Sequence, residues 1–213
     1  MEVLTVGKPP GPFRAIVQRL LPLRFRKTLG DGLRRATRWP PIGGVELGRL
    51  GSTEPISPDW GFDRGQPIDR YYIERFLEAR KADVRGRVLE VLNDHYTVRY
   101  GGDRVTHSDV LHHVPGNPKA TVVADLTVPD SLPEASYDCV ICTQTLQFIY
   151  DVGEASRTLH RVLKPGGTLL ATVPGITRIS SEDMERSGDY WRFTRASVRR
   201  LLADAFGHDR IDV

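Results

Sequence analysis

Short apolar runs separated by helical or loop-like stretches fill the chain from residue 66 onward. Apolar residues at helical spacing predict a first helix, whose apolar face is formed by Ile68, Tyr72, Phe76 and Ala79. Five segments then have the length and β-branched content of strands, and all but the second are mainly apolar: 87–92, 104–109, 120–125, 137–143 and 168–173. Such strands, alternating with helices or loops, are typical of a parallel sheet covered on both faces. The pattern predicts an α/β fold.

Two further helices are predicted after the fourth strand. The first spans 152–163 and is followed by a turn at 164–167, which leads into the fifth strand. The second spans about 195–205, with Thr194 as its N-cap. A polar loop at 175–188 lies between the fifth strand and this last helix.

The first 60 residues have a different character. They are rich in proline and hold 10 of the 30 Lys and Arg residues but only 5 of the 27 Asp and Glu residues. We therefore predict a basic N-terminal extension at 1–60 and an α/β domain at 61–213. The basic amphipathic stretch 13–38 is a candidate for peripheral contact with an anionic membrane, and a solvated strap is the alternative.

Composition excludes several classes of protein. The chain is 39% hydrophobic and 27% charged, and no apolar run approaches the ~20 residues that span a bilayer. The residues Met1 to Leu4 lack the start of a secretory signal, so we expect a cytoplasmic protein. Cys139 and Cys142 are too few for a disulfide scaffold or a four-cysteine zinc site, and His112 with His113 lacks a third ligand; no metal is expected.

Acidic residues in or at the ends of successive strands are the first candidates for a site. In an open parallel sheet, ligands bind beyond the carboxyl ends of the strands. Glu90 lies in the first strand, Asp109 closes the predicted second strand 19 residues later, and Asp125 closes the third. This offset suits a carboxylate that binds ribose hydroxyls, and Asp125 is placed to accept a hydrogen bond from an exocyclic amine. The alternative is that these residues cap helices or close turns.

Over residues 68–206 the sequence resembles the class I S-adenosylmethionine-dependent methyltransferases. The resemblance rests on the segments 88–91, 108–109, 124–126, 137–146 and 159–170, the last of which contains Leu-Lys-Pro-Gly-Gly. It implies a Rossmann-like methyltransferase sheet with S-adenosylmethionine as cofactor. The segments 60–72 and 189–194 look like a subgroup associated with sugar and cell-surface glycan pathways.

The resemblance also implies a role for each matching position. Asp109 would hold the cofactor ribose, and Asp125 with Leu126 would flank the adenine. Gln144 would line the mouth where the methyl group is transferred. Glu90 would orient the loop that receives the methionine part.

The turn after the first strand departs from the family. Glycines are expected there, because backbone can then approach the cofactor without a Cβ in the way, but Leu92, Asp94 and Tyr96 stand instead. Leu92 cannot adopt a left-handed backbone cheaply. Two outcomes stay open: a fold that has lost its cofactor, or a loop that binds it through side chains, the candidates being Asn93, Tyr96 and Thr97.

The end of the sequence is a second departure. In the family, the last helix leads to two strands that form a hairpin at one sheet edge, whereas only 210–213 remain here. The expected sheet lacks this hairpin, so one edge is open. Either a partner or second copy covers it, or the functional gene product is longer.

Catalysis needs alignment of the nucleophile and, for a hydroxyl acceptor, a general base. His95 in the altered loop is the candidate base and Gln144 the second catalytic candidate, although a loop histidine can equally be solvent-facing. Tyr190, Trp191 and Arg192 are candidates for a substrate wall, with a role in the core as the alternative.

The predicted function is methyl transfer from S-adenosylmethionine to a small-molecule or glycan-type acceptor. The alternative is a non-catalytic scaffold or partner subunit with the same fold. Nucleic acid is not expected as a partner, because Thr143-Gln-Thr-Leu stands where base methyltransferases have an Asn/Asp-Pro-Pro-Tyr type signature.

Overall fold

The computed structural model describes residues 60–213, together with residues 48 and 57. Residues 60–213 form the second of two units into which the chain divides. The predicted extension at 1–60, with its candidate membrane contact at 13–38, lies outside the described residues except at positions 48, 57 and 60.

A five-stranded parallel sheet forms the centre of the described unit. Its strands are β1 (Gly86–Val91), β2 (Val105–His112), β3 (Val122–Val123), β4 (Tyr137–Thr143) and β5 (Leu163–Thr172). Their order across the sheet is β3-β2-β1-β4-β5, and each neighbouring pair is parallel. The chain leaves β1 toward one edge and returns to β4 on its other side. The carboxyl ends of β1 and β4 therefore form the crevice where ligands bind in such sheets.

Within the described residues, four helices accompany the sheet: α1 (Ile68–Ala79), α2 (Val152–Val162), α3 (Ser181–Arg186) and α4 (Arg195–Phe206). A π-helical turn occupies Thr97–Gly101. Short 3-10 turns lie at Phe62–Arg64, Lys81–Asp83, Gly102–Arg104, Leu146–Phe148 and His208–Arg210. Within the described part of the chain, no helix has the length and apolar character needed to cross a bilayer.

The sheet is covered on both faces, as the strand pattern predicts. Successive residues of a strand point to opposite faces. Val88 belongs to the buried cluster that contains Ile73 and Leu77 of α1, whereas Leu89 belongs to the cluster that contains Leu159 of α2. The two helices thus form the outer layers, and the predicted α/β architecture is confirmed.

Some predicted boundaries match the structure closely. Strand β4 has the predicted bounds, and α2 and α4 begin where the sequence predicts them to. Thr194 caps α4, its hydroxyl accepting from the Ser197 backbone N–H at 3.1 Å in a capping box.

Burial raises the pKa of the Cys139 and Cys142 thiols to about 12, as expected for cysteines that serve packing.

Other boundaries differ from the prediction. The buried face of α1 is formed by Ile73 and Leu77, while Ile68 is 75% exposed. The predicted turn at 164–167 is a bulge inside β5, since the strand pairs through Leu163, skips these residues and resumes at Thr168. The polar loop at 175–188 contains α3. Strand β3 shrinks to two residues, and β2 continues past its predicted end.

Candidate functional site

The loop after β1 is held by a buried carboxylate. Glu90 is 2% exposed. Its Oε1 accepts from the Tyr96 backbone N–H at 3.1 Å, and its Oε2 accepts from the Thr97 N–H and hydroxyl, both at 2.7 Å. The Glu90 carboxylate therefore holds this loop at Tyr96 and Thr97.

No cation is paired with the Glu90 carboxylate in the described contacts. Burial raises the pKa of this group, and the hydrogen bonds from Thr97 and Tyr96 offset the rise only in part. The polar loop groups, rather than an ion pair, hold the acid.

The turn itself follows a path that normally requires glycine. Leu92 has a φ of 80°, in the left-handed region that non-glycine residues rarely adopt. Its N–H donates to the Leu111 carbonyl at 2.9 Å, and its carbonyl accepts from the Asn117 side chain at 2.7 Å. The Leu92 side chain is 56% exposed, so it is not part of the core. The sequence suggests that this conformation is costly, and the structure shows which bonds hold it.

The three predicted loop ligands have different environments. The Asn93 amide oxygen accepts from the His95 N–H at 2.9 Å and closes a local turn. The Tyr96 ring is buried and stacks on Tyr100, with ring centroids 6.1 Å apart. The Thr97 hydroxyl is bonded to Glu90, as above. The side chains of Tyr96 and Thr97 thus support the loop from within, whereas Asn93 shapes its surface.

An open cleft of about 400 Å³ lies beside this loop. Its lining residues are Phe62, Gln66, Pro67, Arg70, Glu74, His95 and Tyr96. The Arg70 Nη1 donates to the Tyr96 hydroxyl at 2.8 Å and so ties α1 to the loop. The candidate base His95 is exposed, with its ring edge-on to Tyr96 at 5.3 Å.

Asp109 is not at the end of a strand. β2 continues to His112, and the Asp109 carboxylate is buried within the sheet layer, paired with Arg87 of β1. The Arg87 Nε and Nη2 donate to its Oδ2 at 2.9 and 2.8 Å, and the Thr121 hydroxyl donates to its Oδ1 at 2.9 Å. The ribose role assigned to Asp109 is therefore not what its contacts support. The strand is longer than predicted, which places this residue before the carboxyl edge.

The ion pair also determines the protonation of Asp109. Burial alone would raise the pKa of this carboxyl group. The hydrogen bonds from Arg87 and Thr121, together with the charge of Arg87, outweigh burial and lower the pKa below its ordinary value.

Asp125 and Leu126, the predicted adenine neighbours, differ in burial: Asp125 is exposed, whereas Leu126 is buried. The Asp125 Oδ1 accepts from the Thr127 N–H and hydroxyl, both at 2.8 Å, in a local turn. Leu126 is buried in the α2-side cluster of the core. The turn that the sequence offered as an alternative for Asp125 is present.

Gln144 adopts a second left-handed conformation, with a φ of 47°, directly after β4. Its N–H donates to the Thr172 carbonyl at 2.9 Å, and its carbonyl accepts from the Gln147 side chain at 2.9 Å. The carboxyl ends of β1 and β4 therefore each carry a strained non-glycine residue. Backbone strain of this kind concentrates at functional sites.

An exposed aromatic group follows β4. The Tyr150 ring lies 5.4 Å from the Tyr190 ring and 5.9 Å from the Trp191 ring. The Trp191 indole N–H donates to the Ile149 carbonyl at 3.0 Å, and the Tyr190 N–H donates to the Gln147 carbonyl at 2.8 Å. These bonds attach the predicted substrate wall to the end of β4.

Arg192 has a different role from its two neighbours. All of its side-chain nitrogens donate within the same region, to Asp189 and to the carbonyls of Thr177, Arg178 and Trp191. The hydrogen bonds from Arg192 in turn lower the pKa of Asp189. The predicted contact with an acceptor phosphate or carboxylate would have to break one of these bonds.

Three site residues were not found from the sequence: Arg70, Gln147 and Tyr150. Arg70 lies in the predicted first helix, but its partner Tyr96 is 26 residues away. Gln147 and Tyr150 follow the family segment 137–146, and their relation to Tyr190 needs the folded chain. No local pattern marks them.

Residues 85–171 match a family described as a methyltransferase domain. A ubiquinone/menaquinone biosynthesis C-methyltransferase of Hydrogenovibrio crunogenus is 27% identical over 127 residues, 59% of this chain and 47% of that protein. A probable S-adenosylmethionine-dependent methyltransferase of Mycolicibacterium smegmatis is 33% identical over 93 residues, 44% of this chain and 32% of that protein.

A solved structure shows the same fold. It is a SAM-dependent methyltransferase from Archaeoglobus fulgidus, 13% identical, with a TM-score of 0.50 over 69% of this chain and 72% of that one. The chain spans less than half the length of the two curated relatives named above. Residues 85–171 are thus similar to the methyltransferase domain family, and the described unit shares the fold of that solved structure.

Proposed function

We propose that this chain binds S-adenosylmethionine at the crevice between β1 and β4 and transfers its methyl group to a small-molecule or glycan-type acceptor. The observation that carries the proposal is the turn after β1. Leu92 adopts the left-handed backbone conformation that glycine usually adopts, and Glu90 fixes the loop that follows. The left-handed turn and the loop held by Glu90 support cofactor binding at this end of the sheet.

The residues present suit the cofactor. The backbone of 92–95, with Asn93, would hold its amino-acid and ribose parts, and Asp125 with Leu126 would lie toward its base. When bound, S-adenosylmethionine supplies an electrophilic methyl group on a sulfonium. Glu90 contributes by holding the Tyr96 and Thr97 amides in place, which positions the loop without further ordering cost.

The chain's own residues supply the acceptor side. Gln144, fixed by its bonds to Thr172 and Gln147, lines the mouth of the crevice. Tyr190 and Trp191 offer flat apolar faces on which an acceptor ring can stack and exclude water. His95, exposed in the cleft, is the proposed general base for a hydroxyl acceptor. A ring that carries hydroxyl groups, as in glycan intermediates, suits this combination.

A scaffold function is the second candidate, and one observation favours it. The carboxylate expected to hold the ribose is used inside the protein, where Asp109 binds Arg87. In a fold that has lost its cofactor, Asp109 would not be needed to bind the ribose. The outer strands of the sheet, β3 and β5, are then candidate surfaces for a partner or second copy. We place either form of the protein in the cytoplasm.

Calorimetric titration of S-adenosylhomocysteine, with thermal unfolding in parallel, separates the two candidates. A methyltransferase is expected to give saturable heat and a melting temperature that rises with ligand concentration. If millimolar ligand gives no heat and no thermal shift, the proposal is contradicted and the scaffold function is favoured. Methyl transfer to candidate glycan intermediates then tests the acceptor class.

A further inference from the structure

One arginine in the cleft beside the β1 loop has binding capacity that the fold does not use. Arg70 donates through Nη1 to the Tyr96 hydroxyl at 2.8 Å. Among the described contacts, its Nε and Nη2 have no acceptor. These two nitrogens form one edge of the guanidinium, the edge whose parallel N–H groups match a carboxylate.

The acidic neighbours of Arg70 are already engaged. Glu74, four residues later on α1, is at the usual spacing for an ion pair with Arg70. It binds the Arg99 Nη2 instead, at 3.1 Å. Asp69 accepts from the Arg70 backbone N–H at 2.8 Å through its Oδ1. Among the described residues, the Arg70 guanidinium at the cleft therefore has no ion-pair partner.

The walls of the cleft indicate what kind of anion fits. Phe62 and Pro67 provide apolar surface, and the His95 ring stands beside them. With Glu74 balanced by Arg99, the lining carries one uncompensated positive charge from Arg70. A singly charged group on an apolar or ring-containing molecule matches that balance, whereas a phosphate dianion would leave excess negative charge.

We propose that Arg70 is the carboxylate-binding residue of this cleft, acting through its Nε–Nη2 edge. The Tyr96 hydroxyl accepts from Nη1 and fixes the guanidinium plane, so Tyr96 is a positioning residue. The inference rests on the proposed function in so far as two molecules of that reaction can supply the group: the cofactor through its amino-acid end, or the acceptor through a carboxylate of its own.

The test uses Arg70→Met with Arg75→Met as the matched control. Arg75 lies on the same helix but contacts Tyr71 and does not line the cleft. Two calorimetric titrations are compared, one with S-adenosylhomocysteine and one with methylthioadenosine, which lacks the amino-acid carboxylate. A third titration uses benzoate, followed by the arginine side-chain Nε resonances. Arg70→Lys, which keeps the charge but not the fork, is measured in case Arg70→Met unfolds.

If the cofactor supplies the carboxylate, Arg70→Met weakens S-adenosylhomocysteine binding about tenfold or more, the loss expected for charge-assisted hydrogen bonds. Methylthioadenosine binding stays unchanged, as does all binding to Arg75→Met. If the acceptor supplies it, both nucleosides bind as before. The wild type and Arg75→Met then bind benzoate, and Arg70→Met does not.

The inference is overturned if neither S-adenosylhomocysteine nor benzoate distinguishes Arg70→Met from Arg75→Met. Should Arg70→Met unfold, Arg70→Lys is compared with Arg75→Met instead. Lysine keeps the charge but cannot donate two parallel hydrogen bonds to a carboxylate, so binding is still expected to weaken. Failure of the wild type to bind S-adenosylhomocysteine would instead count against the proposed function. The benzoate titration still decides the role of Arg70 in that case.

Discussion

Two buried carboxylates on neighbouring strands show how differently the same chemical group is used in this sheet. Glu90 on β1 and Asp109 on β2 are 2% and 4% exposed. Glu90 accepts only from backbone amides and a hydroxyl of the loop that follows it. Asp109 is bound to the guanidinium of Arg87.

The electrostatic consequences are opposite. Burial raises the pKa of Glu90, whereas the contacts with Arg87 and Thr121 lower that of Asp109 despite its burial. Glu90 supports the loop of the candidate site, and Asp109 joins two strands. Position within a strand, rather than residue type, separates the two roles.

The largest expected effect comes from Glu90→Ala. The change leaves the Tyr96 amide, the Thr97 amide and the Thr97 hydroxyl without their acceptor in a buried region. We expect the free energy of unfolding to fall by about 3 kcal/mol or more, measured by urea denaturation.

Glu78→Ala is the matched control, because Glu78 is exposed and pairs only with Lys81 in the described contacts. Its effect should stay within about 0.5 kcal/mol. A Glu90→Ala protein as stable as this control would show that the loop does not depend on Glu90.

Asp109→Asn is expected to lower stability by about 2 kcal/mol at neutral pH, since a charge-assisted pair is lost. The Arg87 side chain is 40% exposed, so water can solvate it afterwards, which limits the loss. Because the folded pKa of Asp109 lies below its ordinary 3.8, the stabilisation is present above that value and disappears as pH falls through the folded pKa.

Unfolding of both proteins between pH 7 and pH 2 provides the measurement. The difference between wild type and Asp109→Asn should shrink only below about pH 4. Asp130→Asn, at a carboxylate that is 88% exposed, serves as the control with little effect at any pH. A wild-type advantage that persists at pH 2 would contradict an ion-pair role for Asp109.

The smallest effect is predicted for Leu92→Gly. Glycine removes the cost of a left-handed leucine, and its greater freedom in the unfolded chain cancels part of the gain. We expect the free energy of unfolding to rise by about 0.5 kcal/mol. Leu92→Ala keeps a Cβ in the same conformation and should not gain. Equal stability losses in both variants would mean that the turn is not strained.

The fold was largely predictable because its signals are local. An apolar run such as β4 and a capped helix such as α4 are each encoded by consecutive residues. The bulge at 164–167 was not predictable in the same way. It is defined by pairing with β4, where Leu163 pairs with Tyr137 and Thr168 pairs with Cys139, whereas the local pattern at 164–167 indicates only a turn.

The site was less predictable because its contacts join residues that are distant in the sequence. A role for Glu90 at this loop was implied by the family resemblance, and the structure adds the loop groups from which its carboxylate accepts hydrogen bonds. The role of Asp109 depends on strand register, since β1 pairs with β2 so that Arg87 comes within reach of Asp109. Arg70 and Gln147 acquire their partners only through packing of distant segments.

The most direct test of the account compares S-adenosylhomocysteine binding to Glu90→Gln and Asp109→Asn, both checked for folding by thermal unfolding. If the Glu90 loop is the cofactor site and Asp109 is a structural ion pair, Glu90→Gln weakens binding about tenfold or more while Asp109→Asn stays within about threefold of wild type. Loss of binding in Asp109→Asn together with wild-type affinity in Glu90→Gln would contradict it.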